Sequence, residues 1–280
     1  MQDLTIGLVQ MTARFGQIEE NLRKVTNFSL QAAEHKVDIL CFPEMCIHGY
    51  RRGVPPQCPL EIPGVWMSSL RQMAESHQMI IAVGLAENNQ AGNPYITQLL
   101  FFPDGSWDVY RKTHLGQSEE PYYTAGESLP VFHSAKGKFA VQICWDTHFP
   151  EISIIQSLKG AEIIFAPHAS PSIVGDRKEI WTKYLTARAY DNSVFLAACN
   201  LVGEDNGHSY SGGALVFDPK GNIIAEDFSQ REGLLCVTLE SSLINTIRQK
   251  ERRSMRHSFY LAGRRPELYR DLLTRSTSDI

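Results

Sequence analysis

A carboxylate, a primary amine and a thiol each lie at the end of a predicted strand of this chain. These residues are Glu44, Lys112 and Cys144. Proteins with alternating strands and helices tend to bind ligands at strand ends, so the three side chains are candidates for one site. A base, a cation and a thiol are the groups that nucleophilic acyl transfer requires. Taken together, they predict a thiol-dependent enzyme more strongly than any of them does alone.

The sequence around Cys144 favours a reactive thiol. The residue ends an apolar segment, and Pro150 with Glu151 then opens a predicted helix. A thiol at a strand-to-helix turn lies near backbone N–H groups and the positive end of the helix. Both effects lower the pKa of a cysteine from about 8.5, and a nearby lysine lowers it further. The same amides could stabilise a developing oxyanion, so we expect a thiol with a lowered pKa.

The pattern of apolar residues predicts the elements that position these side chains. Strands and helices alternate early in each half of the chain, and strand hairpins follow. Strands are predicted over residues 4–10, 37–42, 79–85, 97–102, 107–111, 139–144, 163–166, 194–199, 213–217, 223–225 and 234–239, and helices over 18–35, 65–77, 150–159 and 177–191. This order indicates an α/β fold in which a mixed sheet covered by helices on one face occurs twice. With no linker evident, we predict one domain over residues 1–280 and a helical C-terminal segment over about 243–275.

Composition narrows the function classes. The chain has 280 residues, of which 43% are hydrophobic and 21% charged. A chain of this length can bury a core without disulfides or metals. Its net charge of −4 argues against nucleic acid as the main partner, although a basic run follows Arg248. No stretch approaches the roughly 18 consecutive apolar residues of a membrane span. The first residues form an amphipathic strand rather than a secretory signal, so we expect a cytoplasmic protein without a membrane partner.

Common metal and cofactor motifs are absent from the sequence. The six cysteines include no CxxC pair, and the nine histidines form no HExxH motif. Neither a GxGxxG nor a GxxxxGK[ST] phosphate-binding loop occurs. The segment from Gly207 to Gly212 resembles a serine nucleophile elbow only loosely, because its spacing is wrong. We therefore expect no metal and no organic cofactor.

Several motifs in order resemble the nitrilase superfamily of carbon–nitrogen hydrolases. They are Gly7-Leu8-Val9-Gln10, Phe42-Pro43-Glu44 with Gly49-Tyr50, Tyr110-Arg111-Lys112-Thr113-His114-Leu115, Cys144-Trp145-Asp146 with Phe149-Pro150-Glu151, Arg188-Ala189-Tyr190-Asp191-Asn192, and Gly213 through Asp218-Pro219-Lys220-Gly221. A single such motif is weak evidence, but the ordered set from residue 4 to about 239 is specific.

The resemblance implies an α-β-β-α sandwich that assembles into homodimers or larger homo-oligomers, and we expect the C-terminal segment to take part in subunit contacts. It also implies a Glu-Lys-Cys triad of Glu44, Lys112 and Cys144. Cys144 would attack the substrate carbonyl with Glu44 as general base. Lys112 and the Trp145 amide would hold the oxyanion, and water would hydrolyse the resulting thioester.

A second glutamate often assists in this family, between the lysine and the cysteine. Here Glu119 and Glu120 are both candidates. The spacing of eight residues after Lys112 is similar to that of amidase relatives, so we prefer Glu120. Glu119 remains the alternative.

The motifs after the cysteine look closer to amidases and N-carbamoyl-amine hydrolases than to nitrilases. We therefore expect a small linear amide or N-carbamoyl substrate, bound with the help of Tyr50, Trp145 and His168. Hydrolysis of a nitrile is the alternative within the same chemistry. A non-catalytic binding protein on the same fold is the alternative of a different class.

Overall fold

The structure is a computed structural model that describes residues 1–248 and 259–274, and most of its strands lie in two six-stranded sheets. The strands are β1 (Leu4–Gln10), β2 (Ile39–Cys41), β3 (Ile80–Glu87), β4 (Tyr95–Phe101), β5 (Trp107–Arg111), β6 (Phe132–His133), β7 (Lys138–Val141), β8 (Ile163–His168), β9 (Phe195–Asn200), β10 (Val202–Asp205), β11 (His208–Ser211), β12 (Ala214–Phe217), β13 (Ile223–Asp227) and β14 (Gly233–Leu239). The helices are α1 (Ile18–Glu34), α2 (Ser68–His77), α3 (Pro150–Leu158), α4 (Arg177–Asn192), α5 (Ser241–Arg248) and α6 (Asp271–Thr274).

Both sheets are mixed and have a similar plan. The first has the order β14-β1-β2-β3-β4-β5, with β1, β2 and β3 parallel. The second has the order β13-β12-β9-β8-β7-β6, with β7, β8 and β9 parallel. In each sheet the parallel strands are central and the antiparallel strands lie outside them. The prediction of a mixed sheet that occurs twice is confirmed.

Strand β8 shows how the layers are built. Ile163 and Phe165 belong to the core that the two sheets share, whereas Ile164 and Ala166 belong to a second apolar cluster. That second cluster includes Trp181 of helix α4. Because neighbouring side chains of a strand point to opposite faces, β8 is covered by a sheet on one side and by a helix on the other. The predicted α-β-β-α sandwich is confirmed.

The structure differs from the sequence prediction in local detail. Strand β2 ends at Cys41 instead of Phe42, and the segment from Gly207 to Gly212 is mostly strand β11 of a hairpin with β10. Of the predicted C-terminal helical segment, α5 and α6 are helical and residues 249–258 lie outside the described part. No helix among the described residues is long and apolar enough to cross a membrane.

Candidate active site

Glu44 is held in place by the turn that follows β2. An added Cβ at Gly84 would lie 2.4 Å from the Met45 backbone nitrogen and 2.5 Å from the Pro43 oxygen. Only a glycine therefore lets β3 pass this close to the glutamate segment. The Gln98 amide donates to the Phe42 carbonyl oxygen over 3.0 Å and fixes the segment from β4. These contacts direct the carboxylate of Glu44, which is 1% exposed, into the protein.

Lys112 follows β5 and extends that strand's pairing by one residue, since its backbone N–H donates to the Ile96 carbonyl over 2.8 Å. Its side chain is 1% exposed. The Nζ atom lies 2.7 Å from Glu44 Oε1 and 2.8 Å from Glu119 Oε1. One buried cation therefore links two carboxylates that come from different parts of the chain.

The electrostatics of this cluster favour a charged lysine. Burial by itself lowers the pKa of Lys112, but Glu44 and Glu119 oppose it, and the pKa lies well above its usual value. Burial raises the pKa of Glu44, Lys112 lowers it and Glu119 raises it, with a net increase. A carboxylate with a raised pKa is a better proton acceptor near neutral pH than an ordinary surface glutamate.

Glu119, and not Glu120, completes the contacts of Lys112. The backbone N–H of Glu119 donates to the Gly116 carbonyl over 2.7 Å, and the Gly116 N–H donates to Glu119 Oε2 over 2.7 Å. This tight turn directs Glu119 inward, where the Tyr50 hydroxyl also donates to its Oε1 over 3.0 Å. Glu120 lies on the outer side of the turn and is exposed. These contacts favour Glu119 over Glu120 as the assisting glutamate, and its role in catalysis stays a prediction.

Paired glutamine substitutions at these neighbouring residues test this prediction. We expect Glu119→Gln to lower kcat by about 10- to 100-fold, because a hydrogen bond to a charged group contributes about 1.5–3 kcal/mol. Glu120→Gln should change kcat by less than about twofold, as is typical of exposed positions. Steady-state kinetics of both variants measure the difference. Equal losses, or a larger loss in Glu120→Gln, would count against this role of Glu119.

Cys144 directly follows the loop after β7 and starts a short 3-10 helix, Cys144–His148. Its φ is +46°, in the left-handed region that non-glycine residues rarely adopt. The Sγ atom lies 3.5 Å from Ser170 Oγ, while the N–H of the preceding Ala169 donates to Glu44 Oε2 over 2.8 Å. Two consecutive residues after β8 thus contact Cys144 and Glu44, which places the thiol beside the charged cluster.

Asp146 ties the cysteine segment to the lysine segment. This buried carboxylate accepts hydrogen bonds of 2.8–2.9 Å from the Tyr110 and Thr113 hydroxyls and the His114 and Ile143 backbone amides. Because these donors flank Lys112 on one side and Cys144 on the other, Asp146 fixes the spacing of the two segments. Asp146 belongs to the motif that begins at Cys144, but the motif alone does not indicate its role.

The resting thiol differs from the sequence expectation. Burial is the largest effect on Cys144 and the Glu44 carboxylate adds to it, so the pKa rises to about 12 although Lys112 lowers it. The predicted lowering of the pKa was wrong mainly because burial disfavours the thiolate, and also because the charges of Glu44 and Glu119 oppose the effect of Lys112. Cys144 is therefore a thiol at neutral pH, and it needs a base to accept its proton during attack.

The three residues proposed to bind substrate lie in different environments. Tyr50 is buried and donates to Glu119, whereas Trp145 is 43% exposed beside Cys144. His168 is 1% exposed; its Nδ1 lies 2.8 Å from the Ala166 carbonyl oxygen, and its ring lies 4.9 Å from that of Trp181. Tyr50 and Trp145 border the cluster directly. His168 lies at the end of β8 on the side of α4. Their roles in binding stay predictions.

Metal ligation has no support in the part of the chain that the structure describes. No group of three or more His, Cys, Asp or Glu side chains there could hold a metal ion. The ammonium group of Lys112 already occupies the space between the two buried carboxylates.

Comparison with known proteins identifies relatives by sequence and a solved structure of the same fold. A 2-oxoglutaramate amidase from Bacillus subtilis is 30% identical over 234 residues, which is 82% of this chain and 88% of the relative. An omega-amidase from Xenopus tropicalis is 27% identical over 254 residues, 86% of this chain and 91% of the relative. The crystal structure of the NitN amidase from Nesterenkonia sp. AN1 superimposes with a TM-score of 0.80 at 27% identity, covering 96% and 99% of the two chains.

Further structures of the Nesterenkonia amidase describe its chemistry. One holds butyramide in a cysteine-to-alanine variant, and another shows the acetamide moiety of fluoroacetamide added covalently at the active-site cysteine. The sequence model of the carbon–nitrogen hydrolase family matches residues 5–249, nearly the whole chain. On the strength of this match and of the shared sandwich, the chain belongs to the carbon–nitrogen hydrolase family.

Proposed function

We propose that this protein is a cysteine-dependent amidase in which Cys144 is the nucleophile, Glu44 the general base and Lys112 the main oxyanion donor. The observation that carries the proposal is the buried Lys112 ammonium held between Glu44 and Glu119 beside the Cys144 thiol. A buried ion cluster of this kind adds little to stability, because desolvation of the charges opposes their attraction. Its position beside a thiol is explained by catalysis.

The geometry supports a two-step reaction. As Cys144 Sγ bonds to the carbonyl carbon, its proton passes to Glu44, and Lys112 with the Trp145 amide stabilises the oxyanion. Collapse of this intermediate breaks the carbon–nitrogen bond, and the leaving nitrogen takes the proton from Glu44 to depart as ammonia or an amine. Water then gives a proton to Glu44 and attacks the thioester, which releases the acid and restores the thiol. The thioester divides one difficult hydrolysis into two easier steps.

A small linear amide or N-carbamoyl compound is the proposed substrate class. Two relatives are named 2-oxoglutaramate amidase and omega-amidase, and a variant of the Nesterenkonia enzyme binds butyramide. These names and this ligand support an amide substrate over a nitrile. Ammonia release across aliphatic amides, N-carbamoyl amines, N-carbamoyl amino acids and nitriles tests this assignment. Amide turnover is expected. Turnover of nitriles alone would make the protein a nitrilase, and turnover of none would favour the binding-protein alternative.

The pH dependence of kcat/KM follows from the shifted pKa values. Glu44 must be ionised to accept a proton, and its pKa is raised by burial, so activity should fall on acidification with an apparent pKa above the ordinary 4.5. Thiol ionisation should add no rise between pH 8 and 9, since the pKa of Cys144 is about 12. A pH–rate profile measures both features. A rise of kcat/KM near pH 8–9 in the wild type, as expected for ionisation of an ordinary thiol, would contradict the general-base step.

Assembly into a homodimer or larger homo-oligomer is also proposed. Apolar side chains remain exposed on the outer helices, with Ile155 and Leu158 of α3 at 39% and 54% and Tyr190 of α4 at 39%. Tyr190 donates to or accepts from Tyr260 over 2.9 Å, so the C-terminal segment borders this surface. Light scattering at micromolar concentration that gives a monomer mass would refute the proposal.

A cytoplasmic location suits the six free thiols, since such thiols persist in reducing compartments.

A further inference from the structure

Arg177, the first residue of α4, is a buried cation that forms no salt bridge with a carboxylate of the described residues. It is 5% exposed and belongs to no ion pair within residues 1–248 and 259–274. Its Nε atom is buried and makes no hydrogen bond, and Nη2 makes one long bond of 3.3 Å to the Pro171 carbonyl oxygen. The adjacent Asp176 carboxylate instead caps α4 by accepting from the Glu179 N–H over 2.7 Å. A buried charge in this condition is costly to the folded protein.

Burial lowers the pKa of Arg177, and the adjacent Asp176 carboxylate opposes this only in part, because it caps the helix instead of forming an ion pair with the guanidinium. The aromatic groups packed beside the guanidinium are neutral. The guanidinium lies 5.8 Å from the centre of the Trp181 ring, and the His168 ring packs on the same indole. Because the Ala166 carbonyl can only accept, Nδ1 of His168 carries the proton and Nε2 has a free lone pair. Burial and Arg177 hold the pKa of His168 well below its usual value, so the ring is uncharged. Burial raises the pKa of the neighbouring Tyr184 to about 12, so its hydroxyl is neutral as well.

The unpaired guanidinium lies next to the reacting thiol. Pro171, whose carbonyl it contacts, directly follows Ser170, the residue whose hydroxyl lies 3.5 Å from Cys144 Sγ. Burial lowers the pKa of Arg177, and Cys144 is close enough that a thiolate there would oppose this shift. The 3-10 helix that begins at Cys144 packs against both β8 and α4. One small substrate could therefore place an anionic group against Arg177 and its scissile carbonyl against Cys144.

We propose that Arg177 binds a carboxylate at the far end of the substrate, so that the preferred substrates are monoamides of short dicarboxylic acids or similar anionic amides. The inference rests on the proposed amidase function and narrows its substrate class. A guanidinium matches a carboxylate with two parallel N–H···O bonds, and the unbonded Nε is available for one of them. The carboxylate would supply the counter-charge that the protein itself does not.

Succinamate and butyramide make a matched pair for the test, because a carboxylate in the first replaces the methyl group of the second. In the wild type we expect a higher kcat/KM for succinamate, or for its neighbours malonamate or glutaramate, than for the uncharged amide of similar length. Arg177→Met should lower the ratio of the anionic to the uncharged kcat/KM by about 10- to 100-fold, as for one lost charged hydrogen-bonding partner. Arg177→Lys should keep part of the preference. Arg248→Met is the control, since Arg248 donates to the Ala161 and Ser193 carbonyls.

Binding measured without turnover separates this inference from the amidase proposal. Calorimetry of succinamate and butyramide with the wild type and both Arg177 variants reports the carboxylate preference even if no amide is hydrolysed. Absence of turnover with Arg177-dependent succinamate binding would refute the amidase alone. Equal effects of Arg177→Met on both ligands, or no carboxylate preference in the wild type, would refute the inference. If Arg177→Met fails to fold, Arg177→Gln serves as the uncharged variant. A ratio of succinamate to butyramide affinity that is the same in the wild type, Arg177→Lys and Arg177→Gln would also refute the inference.

Discussion

Cys144→Ala should lose ammonia release from the best amide substrate by a factor on the order of 10⁴ or more, because no other group can form the thioester. Cys144→Ser should be nearly as inactive. A buried hydroxyl is a weaker nucleophile than a thiol, and its proton is harder for Glu44 to accept. Initial rates of ammonia release at saturating substrate measure both losses.

Cys58→Ala is the matched control for the cysteine substitutions. Cys58 is an exposed free thiol with a similar backbone φ of +52°, so the variant tests the loss of a sulfur at a comparable backbone conformation. We expect its activity to stay within about twofold of the wild type. Residual activity above about 1% in Cys144→Ala, with the variant folded and free of wild-type protein, would show that another residue carries the reaction.

Lys112→Met should impair both catalysis and folding. Loss of the oxyanion donor should lower kcat by about 10²–10³-fold. The substitution also leaves Glu44 and Glu119, 1% and 4% exposed, without their shared cation. Removing one partner of a buried ion cluster typically lowers the free energy of unfolding by about 3–5 kcal/mol. Kinetics and chemical denaturation at neutral pH measure the two losses.

The lost stability in Lys112→Met should depend on pH with a definite sign. Without the cation, burial and mutual repulsion raise the pKa of at least one glutamate above its unfolded value. Such a group favours the folded state when protonated, and this advantage disappears as pH rises through the folded pKa. The variant should therefore lose stability relative to the wild type between about pH 4 and about pH 7. Lys178→Met, which removes an exposed partner of Glu226, should show no such trend. A pH-independent difference would contradict this electrostatic account of the cluster.

The layered fold could be predicted because its strands are strongly apolar. Residues 4–10 and 107–111 were predicted with the bounds that β1 and β5 have in the structure. The hairpin of β10 and β11 was missed because its sequence is polar and rich in glycine, without the alternation that marks a half-buried strand. Strand β2 ends at Cys41, and the turn that begins at Glu44 and places Met45 in the left-handed region brings Glu44 inward.

The candidate site could be predicted only as far as strand ends determine it. Glu44, Lys112 and Cys144 each lie within three residues of the end of a strand, so their placement near one another followed from topology. The choice between Glu119 and Glu120 depends on the geometry of one tight turn, which the sequence does not specify. The sequence does not single out Arg177, because an arginine at the start of a helix is usually exposed. Only the folded structure shows that it is buried and forms no ion pair with any described carboxylate.

The most direct test of the central claim is mass spectrometry of the protein quenched in acid during turnover of butyramide. We expect one butyryl group on the peptide that contains Cys144, formed with release of ammonia and absent from Cys144→Ala. A butyryl group on any other residue would contradict it, as would ammonia release that continues undiminished in Cys144→Ala.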